Sequence, residues 1–438
     1  MTGFSPPLLS LYDPAERTEG SIDPLGLMST YERLAERIYP WMTVRMARPR
    51  FLTAMVVGAH VCQGFAEELA ADDVSPAWLV FEWHIVEGFA RSGLQNYPGS
   101  RKSRVAVQRN QHLSKDNYLK TPKVFGYSGV YRRLARGLEI LDDNFHLDEG
   151  GLELLSAWEK DQRLSGFITG QTGPGAKLLE SLRRAVRKGM AKGAVDQPPR
   201  SAMWEELMRL LSPDRMGSRE KQCISHRLLR TDLRGNPEDL QAQEMRCELF
   251  GYLEDHGVVV DRKTEPAFFR RVIRKASRPL RERLERIDAY EGLGRTIEDA
   301  FRLILHMSTD KDGRAVSDTE FAQERHARTL ATNLHRQVET LEKNFTDSDW
   351  LREMQSHLLR YRGLKHPTEL YRAVLEHHQE VQREKPPDGK RAWFEPTGEG
   401  AMVRPMYRSP DPPPFDDSYV YDYRTGTAST FLRDLGRI

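Results

Sequence analysis

Residues 119–158 read LKTPKVFGYSGVYRRLARGLEILDDNFHLDEGGLELLSAW, the pattern of a loop, a helix, a two-stranded hairpin and a second helix. Val130, Leu134 and Leu138 recur at four-residue spacing, which buries one face of the first helix, and Ser128 stands where an N-cap belongs. Arg132, Arg133 and Arg136 share the opposite face, because residues three and four apart are helical neighbours. Ile140 and Leu141 lead into the turn-forming cluster Asp142-Asp143-Asn144, and Phe145-His146-Leu147 returns as the second strand. Asp148 or Glu149 opens the next helix, with Leu152, Leu154, Leu155 and Trp158 as its apolar residues.

This order resembles the recognition helix, wing and following helix of a winged helix-turn-helix domain, and LDEGGLELLSAW resembles the helix entry after the wing. The resemblance implies that the helix from Ser128 to Leu138 lies in or beside a nucleic-acid groove. A helix and hairpin that only pack, with solvated arginines, is the competing reading. Charge favours the first. Between Arg91 and Gly137 the basic residues are Arg91, Arg101, Lys102, Arg104, Arg109, Lys115, Lys120, Lys123, Arg132, Arg133 and Arg136, against the single acid Asp116. Such asymmetry, in a chain whose formal net charge is only +2, is the footprint of a polyanionic partner. Arg132, Arg133 and Arg136 are expected at the groove, with Arg104, Lys120 and Lys123 on phosphates.

A chain of 438 residues has room for two or three domains. Apolar content of 39% is low and charged content of 30% is high, which points to amphipathic helices with salt-bridged outer faces. Cys62, Cys223 and Cys247 are scattered and have no metal-knuckle spacing, as expected of reduced thiols in a cytoplasmic protein. The opening MTGFSPPLLSLYDP lacks the basic start and apolar core of a signal peptide. The greasy run from Phe51 to Cys62 is too short to span a bilayer, so no membrane association is expected.

The expected fold is mainly α: a multi-domain helical protein with a winged-helix-like module and a small β-containing C-terminal tail. Its divisions are an extended arm over 1–28, a helical body with the winged-helix module over 29–165, and a linker with a basic helix over 166–200. A helical domain over 201–365 and a C-terminal helix, hairpin and proline/tyrosine-rich tail over 366–438 complete it. Pro198-Pro199 marks the main boundary. Within these, helices are expected over Ser29–Tyr39, from Pro49 to Leu69, from Pro76 onward, and over Asp318–Phe345 and Trp350–Tyr361. Strands are expected at Val258-Val259-Val260 and at Tyr419, Tyr421 and Tyr423, and a hairpin turns over Pro396–Gly400. His60 and His84, on apolar helices, read as core histidines. Of His377 and His378, adjacent on a helix, one is expected to face water.

A second basic run, Arg262 to Arg286, holds ten cations against three acids. It makes Arg270, Arg271, Arg274 and Lys275 secondary candidates for phosphate contact. Lys390, Arg391 and Trp393 form another, since basic residues beside an aromatic can hold a phosphate and stack on a base. A tail anchored by Trp393 and Phe394 is the alternative there. Gly170 to Lys177 lacks the Gly-Lys-Ser/Thr ending of a phosphate loop, Leu178 standing in place of the hydroxyl. No zinc-protease helix, nucleophile elbow, dinucleotide fingerprint or paired Cys-x-x-Cys is present. No catalytic residue, metal site or cofactor is therefore expected.

Three longer segments, SIDPLGLMSTYERLAERIYPWM (21–42), YLKTPKVFGYSGVYRRLA (118–135) and EHHQEVQREKPPDGKRAWFE (376–395), resemble a family of large helical bacterial proteins. Those proteins are encoded beside helicases and phospholipase D-like nucleases in phage-defence loci. The resemblance implies nucleic acid, in the first instance double-stranded DNA, and protein partners such as a helicase or nuclease. The function so expected is a non-catalytic nucleic-acid-binding subunit of a multi-protein defence system. A winged-helix transcriptional regulator and a nuclease with a site in the C-terminal half are the alternatives.

Overall fold

The computed structural model describes residues 23–311, 314–345 and 358–438. Among them the chain is mainly helical, and its one sheet is a two-stranded hairpin near the C-terminus. The arm expected over 1–28 and the helix expected over Trp350–Tyr361 fall largely outside the described residues. Two compact units share the chain: residues 35–261 with 422–438, and residues 1–34 with 262–421. The division falls near residue 261 and not at Pro198-Pro199.

The first unit is built around α2 (Phe51–Cys62) and α3 (Ala77–Arg91). Every residue of α2 is buried, as its unbroken apolar sequence requires; a helix that is apolar all round must be enclosed. The two helices approach so closely at Gly58 that a Cβ there would lie 2.6 Å from the Phe81 ring. Beyond Cys62 the apolar period ends in Gln63-Gly64, and α2 stops well short of Leu69, which is exposed.

Buried polar bonds explain why 166–261 belongs to this unit. Arg50 and Glu220 are both fully buried and pair through Arg50 Nε and Nη2 at 3.1 Å each. Arg50 also donates to the carbonyls of Ser212 and Leu210. Those partners lie on α9 (Ala202–Leu211), at its C-cap and on α10 (Ser218–Leu228). Breaking such a pair from one side costs about 3–5 kcal/mol, so α9 and α10 cannot be detached cheaply. The helix expected inside a linker is α8 (Pro174–Lys192), which buries Leu178, Leu179, Leu182 and Val186 against α2 and α3. Its glycine-rich entry is a packing device. A Cβ on Gly175 would lie 1.9 Å from the Leu164 carbonyl oxygen, and the Gly175 amide donates to Ser165 O.

Completing the unit are α11 (Pro237–His256) and the C-terminal helix, Thr425–Asp434. Val258 to Val260 form no strand: Val258 and Val259 are exposed, and the Val260 amide donates to Ser429 Oγ at 3.2 Å.

In the second unit a long helix, α13 (Arg278–Asp310), packs along α15 (Arg325–Asn344). The single helix expected over Asp318–Phe345 is broken at Glu324, whose ψ is 133°. Arg328 donates to the Ala322 and Gln323 carbonyls there, closing the short α14 (Asp318–Gln323). The hairpin forms as expected, β1 (Phe394–Thr397) pairing antiparallel with β2 (Gly400–Val403) in the register Phe394 to Val403. Tyr419 and Tyr421 lie on no strand; Tyr419 Oη donates to Asp288 Oδ1 at 2.9 Å, and Tyr421 stacks on Tyr31 at 4.5 Å.

His377 and His378, on α16 (Pro367–Glu384), are both fully buried, so neither faces water. His377 Nδ1 bonds Tyr361 Oη. His378 Nδ1 lies 2.8 Å from Pro24 O, while its Nε2 accepts from the Trp393 amide at 2.8 Å. The carbonyl needs a donor and the amide an acceptor, which fixes a neutral tautomer. Burial accordingly lowers this imidazole's pKa to about 4.

Candidate functional site

Helix α3 sets the geometry of the basic segment from beneath. Its Glu82 is completely buried and accepts hydrogen bonds from Tyr118 Oη at 2.8 Å and from the Ser128 amide at 2.9 Å. Burial pushes this carboxyl above the usual range, and the bonds from Ser128, Tyr118 and Tyr127 work against that push. The Ser128 amide belongs to the first turn of α6 (Tyr127–Gly137). Ser128 is therefore not the cap. The N-cap is Gly126, which has no side chain to offer, and the Glu82 carboxylate meets the helix start instead. A negative charge at a helix N-terminus is stabilising. It leaves no space beside it: a Cβ on Gly126 would lie 2.0 Å from Glu82 Oε1.

One turn further along α3, buried Glu87 accepts from Arg91, from His112 Nδ1 at 2.8 Å and from the Leu113 amide at 2.8 Å. Arg91 is thus spoken for. Two carboxylates on one helix hold the loop from 112 to 128 in place, and the helix α4 (Ser100–Gln108) leads into that loop. A Cβ on Gly99, the N-cap of α4, would lie 2.5 Å from Tyr118 Oη, so the start of α4 abuts the same anchor.

The three arginines of α6 do not stand free. Arg132 Nη2 donates to the Asp143 carbonyl at 2.5 Å, and its guanidinium lies 4.9 Å over the Phe145 ring. Arg133 pairs with Glu36 and Arg136 with Asp143, each at 2.8 Å. The expected wing is reduced as well. Leu141 and Leu147 make an isolated antiparallel bridge rather than a ladder, and Phe145 turns back at a φ of 64° to stack on Trp78 at 4.8 Å. Helix α7 (Glu149–Gln162) then starts with Asp148 as its N-cap, as the sequence suggests.

The unpartnered charge sits upstream. Arg101, Lys102 and Arg104 on α4, Arg109 at its C-cap, and Lys115, Lys120 and Lys123 beyond it are all exposed. None of them has a carboxylate within ion-pair distance among the described residues. Lys115, Lys120 and Lys123 share the rim of one cavity. Next to Lys123 on α5 (Pro122–Phe125), Val124 and Phe125 are 46% and 45% exposed, and Arg45 lies 4.6 Å over the Phe125 ring.

The secondary candidates are placed differently. Arg270 reaches Asp288 at 3.6 Å and the Arg271 guanidinium lies 5.8 Å over Phe268, whereas Arg274 and Lys275 are exposed. Arg270 and Arg274 line a cavity of about 590 Å³ together with Glu285 and Asp288. Arg270 also lines a neighbouring one of about 430 Å³ with Glu291, Asp299 and Asp416, so positive charge there is matched by carboxylates. Asp299, raised to about 6 chiefly by burial, is paired with Arg295. Trp393 has Tyr407 stacked on it at 4.6 Å and Phe301 edge-on at 5.4 Å, which ties the tail down beside Lys390 and Arg391. No group of three or more metal-ligating side chains comes together among the described residues.

Sequence reasoning counted Arg101, Lys102, Arg109 and Lys115 as charge but did not single them out. It passed over Glu82, Gly126 and Tyr118 altogether. The one available signal was two glutamates in the otherwise apolar run AWLVFEWHIVEGFAR, which buried acids with dedicated donors explain. Compared with family models, with curated proteins and with solved structures, the chain matches none.

Proposed function

We propose that the α2–α11 unit binds nucleic acid through the face formed by α4 and the loop from 112 to 125, with Arg101, Lys102, Arg104, Arg109, Lys115, Lys120 and Lys123 on phosphates. The single observation that carries this is seven exposed cations without carboxylate partners in a segment whose only acid is Asp116. Elsewhere the same chain pairs its arginines freely, as Arg132, Arg133 and Arg136 illustrate. Unpaired like charges repel one another and are costly to gather; a polyanion relieves that cost by releasing its counterions. The α6 arginines brace the reversal behind this face.

Set beside the family resemblance, the reading becomes a non-catalytic DNA-binding subunit of a multi-protein bacterial system, with anti-phage defence as its setting. The test is a titration of labelled DNA at several salt concentrations. Six or more phosphate contacts imply a fall in affinity of about 10³-fold or more between ~50 and ~200 mM salt. Affinity that is flat across that range overturns the reading. The same samples with magnesium or manganese report cleavage, which would make the protein a nuclease instead.

A further inference from the structure

Beneath Lys115, Lys120 and Lys123 lies a cavity of about 250 Å³ whose walls include Val74, Leu79, Trp83, Leu119 and Pro122. It is smaller than the roughly 300–1,000 Å³ of clefts that hold drug-sized ligands. One planar ring system fits such a space, and a dinucleotide cofactor does not. Trp83 is completely buried, so it backs the slot from behind and does not offer its Nε1–H to a ligand. The cavity also adjoins the first turn of α3, whose N-cap, Pro76, has no side chain that could cap the amides there. A helix start of that kind favours an anion. The chemistry is therefore an apolar slot rimmed by three ammonium groups.

We propose that this cavity takes a single unstacked nucleobase, with the flanking phosphates on Lys115, Lys120 and Lys123 and a neighbouring base on the exposed ring of Phe125. This rests on the nucleic-acid reading above and narrows it: the face takes single-stranded or locally opened nucleic acid in preference to intact duplex. Phe125 is 45% exposed with Arg45 over one face of its ring, which leaves the rest of the ring for a base to stack on. A flipped base reads the same slot whether it comes from a strand or from a free nucleotide, so the two sources must be separated by the test.

Two variants of the full chain separate them. Thr121→Trp places a bulky side chain at the exposed cavity mouth without removing charge, and Phe125→Ala removes the stacking ring; both positions are exposed. Anisotropy is read with a labelled single-stranded DNA, with the blunt duplex of the same sequence, and with adenosine monophosphate as competitor. Wild type is expected to prefer the single strand, and each variant to weaken single-strand binding by about tenfold and duplex binding by much less. Competition by the free nucleotide in wild type, lost in Thr121→Trp, would assign the slot to a mononucleotide and support its chemistry. Equal binding of single strand and duplex, unaffected by either variant and not competed, overturns the slot but leaves the basic face standing. No binding to any of the three probes overturns both.

Discussion

Two basic segments of similar charge density have opposite fates in this molecule. Residues 262–286 carry ten cations, and several are answered from within their own unit. Arg262 donates to the Tyr419 and Val420 carbonyls, Arg278 pairs with Glu282 at 2.7 Å, and the Arg286 guanidinium lies 5.8 Å over Phe345. Residues 101–123 carry seven, none ion-paired to a carboxylate among the described residues, and Lys115 alone acts on one, Asp72, from farther off. A count of charges cannot distinguish the two; only the positions of the acids can. Where a cation has a buried partner it holds the fold, and where it has none it is available to a ligand.

That comparison is most sharply tested at its structural extreme. Arg50→Met strands the buried Glu220 carboxylate, and the unit should lose about 3–5 kcal/mol in urea denaturation. A loss below about 1 kcal/mol would mean that internal pairing says little about role.

The second test uses pH within the unit that holds residues 262–421. His378 is held neutral, its pKa lowered from 6.5 to about 4 by burial. The unfolded chain therefore binds the proton more readily, and this contribution is full above pH 6.5 and lost as pH falls toward 4. Asp299, raised from 3.8 to about 6, works in the opposite sense and favours the folded state as pH falls through 6. In an Asp299→Asn background the opposing slope disappears. Stability should then fall by something on the order of 3 kcal/mol between pH 6.5 and 4. A flat profile in circular dichroism melts would mean that His378 is not held neutral.

The third test contrasts the two segments directly. Alanine at Arg101, Lys102, Arg104, Lys120 and Lys123 should lower DNA affinity by about 100-fold and make the salt slope shallower by up to ~0.9 per lost contact. Alanine at Arg270, Arg271, Arg274 and Lys275 should cost less than about threefold, because the polyanion is bound elsewhere. If the second set proves the more damaging, the assignment of the two segments is reversed.

The smallest effect is expected on α6. Replacing Arg132, Arg133 and Arg136 with alanine removes exposed pairs worth roughly 0.2–1 kcal/mol each. Melting should show that modest loss, while DNA affinity stays within about threefold. A large loss of affinity with unchanged melting would restore α6 as the recognition helix.

How much of this was legible beforehand depended on whether a feature is local. The helix α1 (Met28–Ile38) follows from its apolar period, α11, α13 and α16 begin at prolines in their first turns, and the hairpin follows from its own turn residues. What failed depended on distant partners. The break at Glu324 is set by the Arg328 side chain, and α9 and α10 are tied to α2 by Arg50. Val258 to Val260 look like a strand but pair with none among the described residues, and the Val260 amide bonds the Ser429 hydroxyl instead. At the candidate site the excess charge was visible, but the partners that occupy Arg132, Arg133 and Arg136 were not. Glu36 lies 97 residues from Arg133 in the chain, beyond the reach of any helical spacing rule.

The contact between Glu82 and Gly126 carries a consequence for how this protein can change over generations. Neither position is free to drift alone. Any side chain at 126 collides with the carboxylate, and loss of the carboxylate strands the Tyr118 hydroxyl and the Ser128 amide together. Shortening Glu82 to aspartate does not by itself admit alanine at 126, because a Cβ there would also lie 2.9 Å from the Pro122 carbonyl oxygen. The two positions should therefore be inherited together, unchanged.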